Sequence, residues 1–308
     1  MRSRLTTLTA AGSLLLTLLG IPPAPASKTA PRPQLAENFP DPEVSRFGGW
    51  QYGYATGSKQ QRVPYAMADA GGHNWRLLGD ALPTPPAWAA PDVGAWAPDV
   101  SRRPRGDYLM YFSMARAGDR LMCLGAALAP TPAGPFQPVG REPLLCQPEL
   151  HGTIDPASFV RSDGSRYLLY KTDSHPARIW LRPTTPDGLR LAGPAVELLR
   201  ADRPHEDGVV EAPVLVERPS AFVLLYAAND FRSRAYQTRY ATAPTLGGPY
   251  TKAGRALLTT DSVGVRSPGG ADVAGHRLYF HGWLPGAKSV RALYGAPLRW
   301  DGPRPVAG

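Results

Sequence analysis

The chain has 308 residues, two cysteines and a formal net charge of +9 at pH 7. This length is enough for one domain with a large core. The basic residues are 29 Arg and 5 Lys without a basic run, a pattern that argues against nucleic-acid binding and leaves weak attraction to acidic cell-wall or pectic polymers open.

The first 26 residues have the pattern of a secretory signal peptide. Arg2 and Arg4 precede an apolar run over residues 5–19, and Ala24-Pro25-Ala26 supplies a small-x-small end. An uncleaved anchor is the alternative, although the run is short for a membrane span. We therefore expect a secreted, extracellular protein in which residues 27–37 form a flexible leader.

Acidic motifs recur along the remaining chain, each just ahead of an aromatic-rich segment. Asp41, Asp99, Asp155 and Glu211 follow one another at steps of 58, 56 and 56 residues, and a fifth unit contains Asp272. One period near this length is typical of the blades of a β-propeller. The period therefore predicts five blades, with acids at equivalent points that face the central axis.

The aromatic segments are short and rich in Tyr, Leu and Phe, as expected of strands buried between neighbouring sheets. They cover residues 50–56, 107–113, 166–172, 222–228 and 277–283. Helical periodicity is absent after the N-terminal run, which argues against a doubly wound α/β fold. A β-sandwich gives no reason for the period. We predict an all-β, five-bladed β-propeller, a single domain over residues 38–303, with almost no helix.

The two cysteines, Cys123 and Cys146, lie 23 residues apart at the two sides of a predicted hairpin. In an exported protein this spacing favours a disulfide within one blade. Two free buried thiols are the alternative. A zinc site is not indicated, because no other Cys or His lies nearby at ligand spacing.

Three of the acids suit the hydrolysis of a glycosidic bond. That reaction needs one carboxyl group to protonate the leaving oxygen and another to activate water, and a third nearby acid keeps the donor protonated. Asp41 and Asp155 each stand before a proline in apolar surroundings, and Glu211 lies inside an apolar segment where an unpaired carboxylate is costly. Asp99 is equally well explained as a turn-forming residue.

The joint spacing of these motifs resembles glycoside hydrolase family 43 over nearly the whole chain. The motifs are Phe39-Pro40-Asp41-Pro42, Trp96-Ala97-Pro98-Asp99, Gly152-Thr153-Ile154-Asp155-Pro156 and Glu211-Ala212-Pro213. The resemblance implies a five-bladed propeller that cleaves α-L-arabinofuranosides or β-D-xylosides with inversion. It also implies Asp41 as general base, Asp155 as the acid that modulates its partner's pKa, Glu211 as general acid and Trp96 as part of a sugar platform. The alternative for Trp96 is a core residue.

The last unit departs from the family pattern. Where many members have Gly-Pro-Gly-His, this chain has Ser267-Pro268-Gly269-Gly270, so the histidine that some members use toward a central calcium is missing at Gly270. We therefore predict no metal ligands and no required cofactor, and a structural calcium is left open. Arg266 is a candidate for hydrogen bonding to a sugar or to the base, with an ordinary surface arginine as the alternative. His281 and Asp272 are expected to be structural.

The sequence thus predicts a secreted inverting glycosidase that acts on pentose-containing polysaccharides or oligosaccharides, most favourably an α-L-arabinofuranosidase or arabinan-degrading enzyme. Trp96, Asp99 and Arg266 are the predicted substrate-binding residues. We expect a monomer without nucleic-acid or membrane partners. The alternatives are a β-xylosidase, a fructan-active relative and a non-catalytic carbohydrate-binding propeller.

Overall fold

The computed structural model describes residues 31–308. Five antiparallel sheets of four strands each follow one another along the chain, and within every sheet the strands pair in sequence order. This arrangement is the predicted five-bladed β-propeller. The signal peptide predicted at residues 1–26 lies outside the described residues.

Each blade contributes four strands, which we number in chain order. The strands are β1 (Glu43–Phe47), β2 (Trp50–Tyr54), β3 (Pro64–Ala68) and β4 (Arg76–Asp80); β5 (Trp96–Arg102), β6 (Tyr108–Ala115), β7 (Met122–Ala129) and β8 (Gln137–Val139); β9 (Thr153–Val160), β10 (Arg166–Thr172), β11 (Arg178–Pro183) and β12 (Val196–Arg200); β13 (Val210–Arg218), β14 (Ala221–Ala228), β15 (Gln237–Ala243) and β16 (Thr251–Lys252); and β17 (Arg266–Ala274), β18 (Arg277–Trp283), β19 (Arg291–Asp301) and β20 (Arg304–Ala307).

The second strand of each blade is the predicted aromatic segment, and its bounds agree with the prediction to within two residues. These strands are apolar on both faces because each sheet packs between two others; in β14, for example, residues 223–228 are all buried. Tyr54, Tyr111 and Tyr279 occupy one register position in three blades and are fully buried. Aromatic rings therefore fill the space between neighbouring blades.

Helix is nearly absent from the described part of the chain, as predicted. Residues 31–308 contain one four-residue helix, α1 (Thr260–Val263), and two three-residue 3₁₀ turns. None of the helices in this range is long and apolar enough to cross a membrane.

The ends of the domain differ from the predicted bounds. Leu35 was assigned to the flexible leader, yet it is buried and forms a β-bridge with Leu293 in blade five. At the other end, β20 runs past residue 303 to Ala307. Hydrogen bonds from residues 34–39 to β19, including Phe39 N to the Arg291 carbonyl at 2.8 Å, tie the beginning and the end of the described residues into the last blade.

A disulfide joins Cys123 and Cys146, as the sequence predicted. Cys123 lies in β7, and the bond fastens the segment before blade three to that strand, next to a β-bridge between Leu124 and Leu145. The bond therefore closes a loop within blade two and supports the turn that leads to Asp155.

Replacing both cysteines with alanine is expected to lower the free energy of unfolding by about 3 kcal/mol, because the unfolded chain is then no longer constrained by a loop of this size. Urea unfolding of the variant checks the value. The wild-type protein unfolded after reduction serves as a second measurement that keeps the cysteine side chains. A loss below about 1 kcal/mol in both experiments contradicts the prediction.

Candidate active site

A left-handed residue lies at the axial end of the innermost strand of every blade. In blades two to five, two residues of the inner strand bulge against a single residue of the second strand, and in blade one the corresponding pair directly precedes β1. The first residue of each pair has φ between 41° and 53°. The five pairs are Asp41-Pro42, Ala97-Pro98, Asp155-Pro156, Ala212-Pro213 and Gly270-Ala271. A left-handed residue other than glycine costs about 1–2 kcal/mol, so each bulge needs support from its surroundings.

That support comes from the neighbouring blade. A bulged amide does not pair within its own sheet, and four of them donate instead to a side chain of the preceding blade. The contacts are Asp41 N to His281 Nδ1 (3.0 Å), Ala97 N to Thr56 Oγ1 (2.8 Å), Asp155 N to Ser113 Oγ (3.1 Å) and Ala212 N to Asp155 Oδ2 (2.9 Å). These contacts therefore fix the angular positions of neighbouring blades as well as the direction of the candidate catalytic side chains.

The central cavity is lined by three consecutive residues from each blade. In chain order they are Asp41-Pro42-Glu43, Ala97-Pro98-Asp99, Asp155-Pro156-Ala157, Ala212-Pro213-Val214 and Gly270-Ala271-Asp272. Asp41 and Asp155 share the first position, Asp99 takes the third, and Glu211 precedes the first. The predicted equivalence of the repeated acids therefore holds for Asp41 and Asp155 and is wrong for Asp99 and Glu211, whose nearly constant spacing hides different positions relative to the bulge.

Asp41 is held as an anion. Arg291 Nη1 donates to its Oδ1 at 3.0 Å, and Thr56 Oγ1 donates to its Oδ2 at 2.6 Å. Burial alone would raise the pKa of Asp41, but the Arg291 guanidinium and the Thr56 hydrogen bond together hold that pKa below its ordinary value. A deprotonated carboxylate in a buried site is suited to accept a proton from water.

His281 supports Asp41 as a neutral ring. Burial and the nearby Arg291 charge lower the pKa of His281 to about 3. Its Nδ1 accepts the Asp41 amide hydrogen bond, so Nε2 carries the ring proton. The 3.4 Å approach of Nδ1 to Asp41 Oδ1 is consequently not an ion pair. These contacts give His281 the structural role that the sequence predicted. The ring supports Asp41, a predicted catalytic residue, directly.

Asp155 and Glu211 are neighbouring carboxyl groups at the boundary between blades three and four. Burial and the neighbouring Glu211 carboxylate raise the pKa of Asp155 to about 7, with Lys171 acting in the opposite direction. Lys171 Nζ donates to Glu211 Oε2 at 3.0 Å, and the Tyr236 hydroxyl donates to Glu211 Oε1 at 2.7 Å. Asp155 therefore retains its proton near neutral pH, while Lys171 and Tyr236 fix the orientation of Glu211.

Two predicted substrate-binding residues lie at the rim. Trp96 is 45% exposed and occupies the strand position that corresponds to Glu211, so it is not a core residue. Arg266 is exposed at the start of β17, and its side chain donates to the Arg232 carbonyl at 3.0 Å. It faces a cavity beside blade five and makes no hydrogen bond to Asp41.

Asp99 lies deeper than its predicted place in the sugar-binding cleft. It stands after the bulge proline, level with Glu43 and Asp272, and its Oδ1 accepts the Ser158 amide at 2.9 Å. Asp272 Oδ2 accepts the Val44 amide at 2.6 Å in the same way, which fits its predicted structural role. Both carboxyl groups thus join neighbouring inner strands beneath the catalytic level.

Burial favours the protonated forms of Asp99, Asp272 and Glu43, the three deeper acids. It raises the pKa of Asp99 to about 7 and of Asp272 to about 6, and burial with these two neighbours raises the pKa of Glu43 well above its ordinary value. The Glu43 Oε2 atom is buried and has no hydrogen-bond partner among residues 31–308. The surroundings therefore favour the protonated form of each of the three deeper acids.

Sequence reasoning did not predict which residues contact the candidate catalytic acids. Thr56, Ser113, Lys171 and His281 occupy the same position of the second strand in four blades, opposite the residue that precedes the bulge. Aligning the repeats on the bulge would have revealed this polar position. Arg291 had no such signal, because it comes from the third strand of blade five.

The structure offers no side chain at the position of the family's calcium-associated histidine. Gly270 is left-handed, with φ of 53°, and a Cβ there would lie 2.7 Å from His281 Nδ1, so the site has no room for a histidine unless the ring moves. Among the described residues, no group of three or more His, Cys, Asp or Glu side chains has a geometry that could hold a metal ion. The residues present thus do not fit that mode of calcium binding.

Comparisons with known proteins agree with this geometry. The sequence signature of Glycosyl hydrolases family 43 matches residues 30–282. A β-D-galactofuranosidase of Aspergillus niger is 30% identical over 60% of this chain, and an extracellular endo-α-(1→5)-L-arabinanase of Bacillus subtilis is 26% identical over 58% of it. The chain spans 57% and 40% of the lengths of these two relatives. The crystal structure of a thermostable family-43 glycoside hydrolase superposes with a TM-score of 0.81 at 22% identity, covering 91% of this chain and 96% of that one.

The pKa of Asp99 predicts an unusual dependence of stability on pH. Because the folded state holds its proton more tightly than the unfolded chain, this contribution to stability is present at acidic pH and is lost as the pH rises toward 7. Asp99→Asn keeps the acceptor for the Ser158 amide and should flatten the decline. Urea unfolding over a pH series measures the effect, and the exposed Asp301→Asn is the control. A wild-type slope in Asp99→Asn refutes the prediction.

Proposed function

Because this chain belongs to glycosyl hydrolase family 43, we propose that it is an inverting α-L-arabinofuranosidase or arabinan-degrading enzyme. The observation that carries the proposal is the opposite protonation of carboxyl groups around one cavity. Asp41 is held as an anion by Arg291, whereas Asp155 on the other side of the cavity retains a proton. Hydrolysis with inversion requires one group of each kind.

In this mechanism Asp41 is the general base. Its carboxylate removes a proton from a water molecule as the water oxygen attacks the anomeric carbon. The contacts from Arg291 and Thr56 leave the carboxylate deprotonated at the start of the reaction. The glycosidic bond breaks on the opposite side of the sugar ring, so the product has the inverted anomeric configuration.

Glu211 supplies the proton to the leaving oxygen, and Asp155 positions the backbone that carries Glu211. Asp155 Oδ2 is fastened to the amide of Ala212, the residue after Glu211, at 2.9 Å. Tyr236 and Lys171 orient the Glu211 oxygens during the transfer. The positive charge of Lys171 also stabilises the carboxylate that remains after Glu211 has given up its proton.

The choice of a furanoside is supported by the names of the relatives. One is a β-D-galactofuranosidase and another is an arabinanase. A five-membered sugar ring is a common feature of β-D-galactofuranose and α-L-arabinofuranose, and the exposed Trp96 provides a flat apolar surface for it. A β-xylosidase, a fructan-active enzyme and a non-catalytic carbohydrate-binding propeller are the alternatives that the substrate test separates.

Export and assembly are part of the same proposal. The N-terminal pattern and the Cys123–Cys146 disulfide support a protein that is secreted and acts extracellularly. We propose one catalytic propeller domain that acts as a monomer on pentose-containing polysaccharides or oligosaccharides. It requires no cofactor in this scheme.

Hydrolysis of a panel of oligosaccharides tests the function directly. The panel contains α-L-arabinofuranosides, β-D-galactofuranosides, β-D-xylosides and fructans, and proton NMR during the first turnovers identifies the anomer released. Release of β-L-arabinofuranose from an α-linked substrate is expected. Absence of arabinose from every arabinoside, or initial release of the α anomer, overturns the substrate or the stereochemical assignment respectively.

Glu211→Gln should show the kinetic signature of a missing general acid. Turnover of an arabinoside with a sugar leaving group is expected to fall by about 10³-fold, whereas a dinitrophenyl arabinoside should lose less than about tenfold, because its leaving group needs no proton. Glu217→Gln lies on the same strand, is partly exposed and serves as the control. Equal losses on the two substrates contradict the acid role of Glu211.

Thr56→Val should move the acidic limb of the kcat/KM profile to higher pH. The hydroxyl helps to lower the pKa of Asp41, and the base is active only when it is deprotonated, so losing the hydroxyl narrows the active range from its acidic side. Thr56→Ser retains the hydroxyl and should keep the wild-type limb. An unchanged profile in Thr56→Val refutes the role of Thr56.

A further inference from the structure

A second, larger cavity opens beside the catalytic one, between the loop after β14 and blade five. Its volume is about 870 Å³, and its lining includes the cations Arg232, Arg234, Arg266 and Lys288. Among the described residues, no acidic side chain lines this cavity. We define these four cations, with Phe231 and Trp283, as the basic cavity.

The charges of the basic cavity are only partly neutralised. Arg234 pairs with Asp261 at 2.5 Å, and Arg232 lies 3.9 Å from Asp230. Within residues 31–308, Arg266 and Lys288 have no acidic partner within 4.0 Å. Four cations facing one open volume repel one another, so an anion that enters it gains favourable interaction with all of them.

The basic cavity also has an ordered aromatic wall. Phe231 and Trp283 stack with ring centroids 6.4 Å apart, and the Trp283 indole nitrogen donates to the Phe231 carbonyl at 3.0 Å. The Arg266 guanidinium donates to the Arg232 carbonyl, which holds the loop against β17. A rigid aromatic wall beside fixed cations suits a ring that carries a charged group.

The basic cavity is linked to the catalytic site through Arg291. The guanidinium of Arg291 lies 4.6 Å from the centre of the Phe231 ring, and the same side chain contacts Asp41 at 3.0 Å. One arginine thus separates the general base from the basic cavity. A polysaccharide with a sugar at the catalytic site can therefore place another residue of the same molecule in the basic cavity.

We propose that the basic cavity binds a uronic acid residue of the polysaccharide, with its carboxylate at Arg232, Arg266 and Lys288 and its ring against Phe231 or Trp283. Guanidinium groups match the planar, two-oxygen geometry of a carboxylate. This inference deepens the proposed function and rests on it. It identifies the substrate as an acidic, uronate-bearing polysaccharide.

Direct binding tests the site without turnover. Trigalacturonate is titrated into the full-length protein at low ionic strength, and Trp283 fluorescence or calorimetry reports binding. The wild-type protein should bind trigalacturonate at least about fivefold more tightly than the same trisaccharide with its carboxyl groups reduced to alcohols, and added salt should weaken the binding.

The double variant Arg232→Gln/Lys288→Gln is expected to bind trigalacturonate about fivefold more weakly, as the loss of two exposed ion pairs implies. The matched control is Arg105→Gln/Arg141→Gln, which removes two positive charges from exposed positions in blade two and should keep wild-type affinity. An equal loss in the control would assign the binding to net charge and overturn the proposal.

Three results with the wild-type protein also overturn it. These are equal affinity for the charged and reduced trisaccharides, binding that does not respond to salt, and displacement by inorganic phosphate at the concentration of the trisaccharide itself.

Failure of the binding site and failure of the proposed function are distinguishable. A protein that binds trigalacturonate but cleaves no furanoside keeps the basic cavity and loses the proposed activity, and the reverse result keeps the activity alone.

Discussion

The structure depends on the bulged amide groups at the axial end of the inner strands. A bulge turns a side chain toward the axis, but it also leaves an N–H group without a partner in its own sheet. An unpaired buried amide costs about 1–3 kcal/mol, so each bulge is stable only when the adjacent blade supplies an acceptor. Thr56, Ser113 and His281 are those acceptors in three blades. The hydrogen bonds that direct the candidate catalytic carboxyl groups thus also hold neighbouring blades in register.

The distribution of positive charge explains why similar carboxyl groups differ in protonation. The Arg291 guanidinium and the Thr56 hydroxyl both donate to Asp41, so its anion is stabilised despite burial. Asp155 and Glu211 share Lys171, which cannot compensate two buried anions at once. The proposed roles of base and acid therefore follow from the number of cations beside each carboxyl group rather than from the acids themselves.

The repeat in the sequence was sufficient to predict the five blades and the second strand of each. Its period also located Asp41, Asp155 and Glu211, because these residues stand within one position of the bulge. It could not separate Asp99 from them, since a shift of two residues along a strand changes depth in the cavity but scarcely changes the period. Arg291 and Tyr236 were not predicted, because they reach the site from a third strand and from a loop whose positions depend on the closed ring of blades.

The loop after β14 connects catalysis to recognition of the rest of the substrate. Tyr236, near its end, orients Glu211, and Phe231, near its start, contacts the arginine that holds Asp41. Hydrogen bonds from Ser267 to the Ser233 carbonyl and from Trp283 to the Phe231 carbonyl fasten the loop to blade five. A ligand bound in the basic cavity therefore acts on a loop that contacts both Glu211, the proposed acid, and Arg291, the side chain that supports the proposed base. Binding energy from a distant sugar can in this way be used to align the reacting groups, the condition under which remote contacts raise kcat as well as affinity.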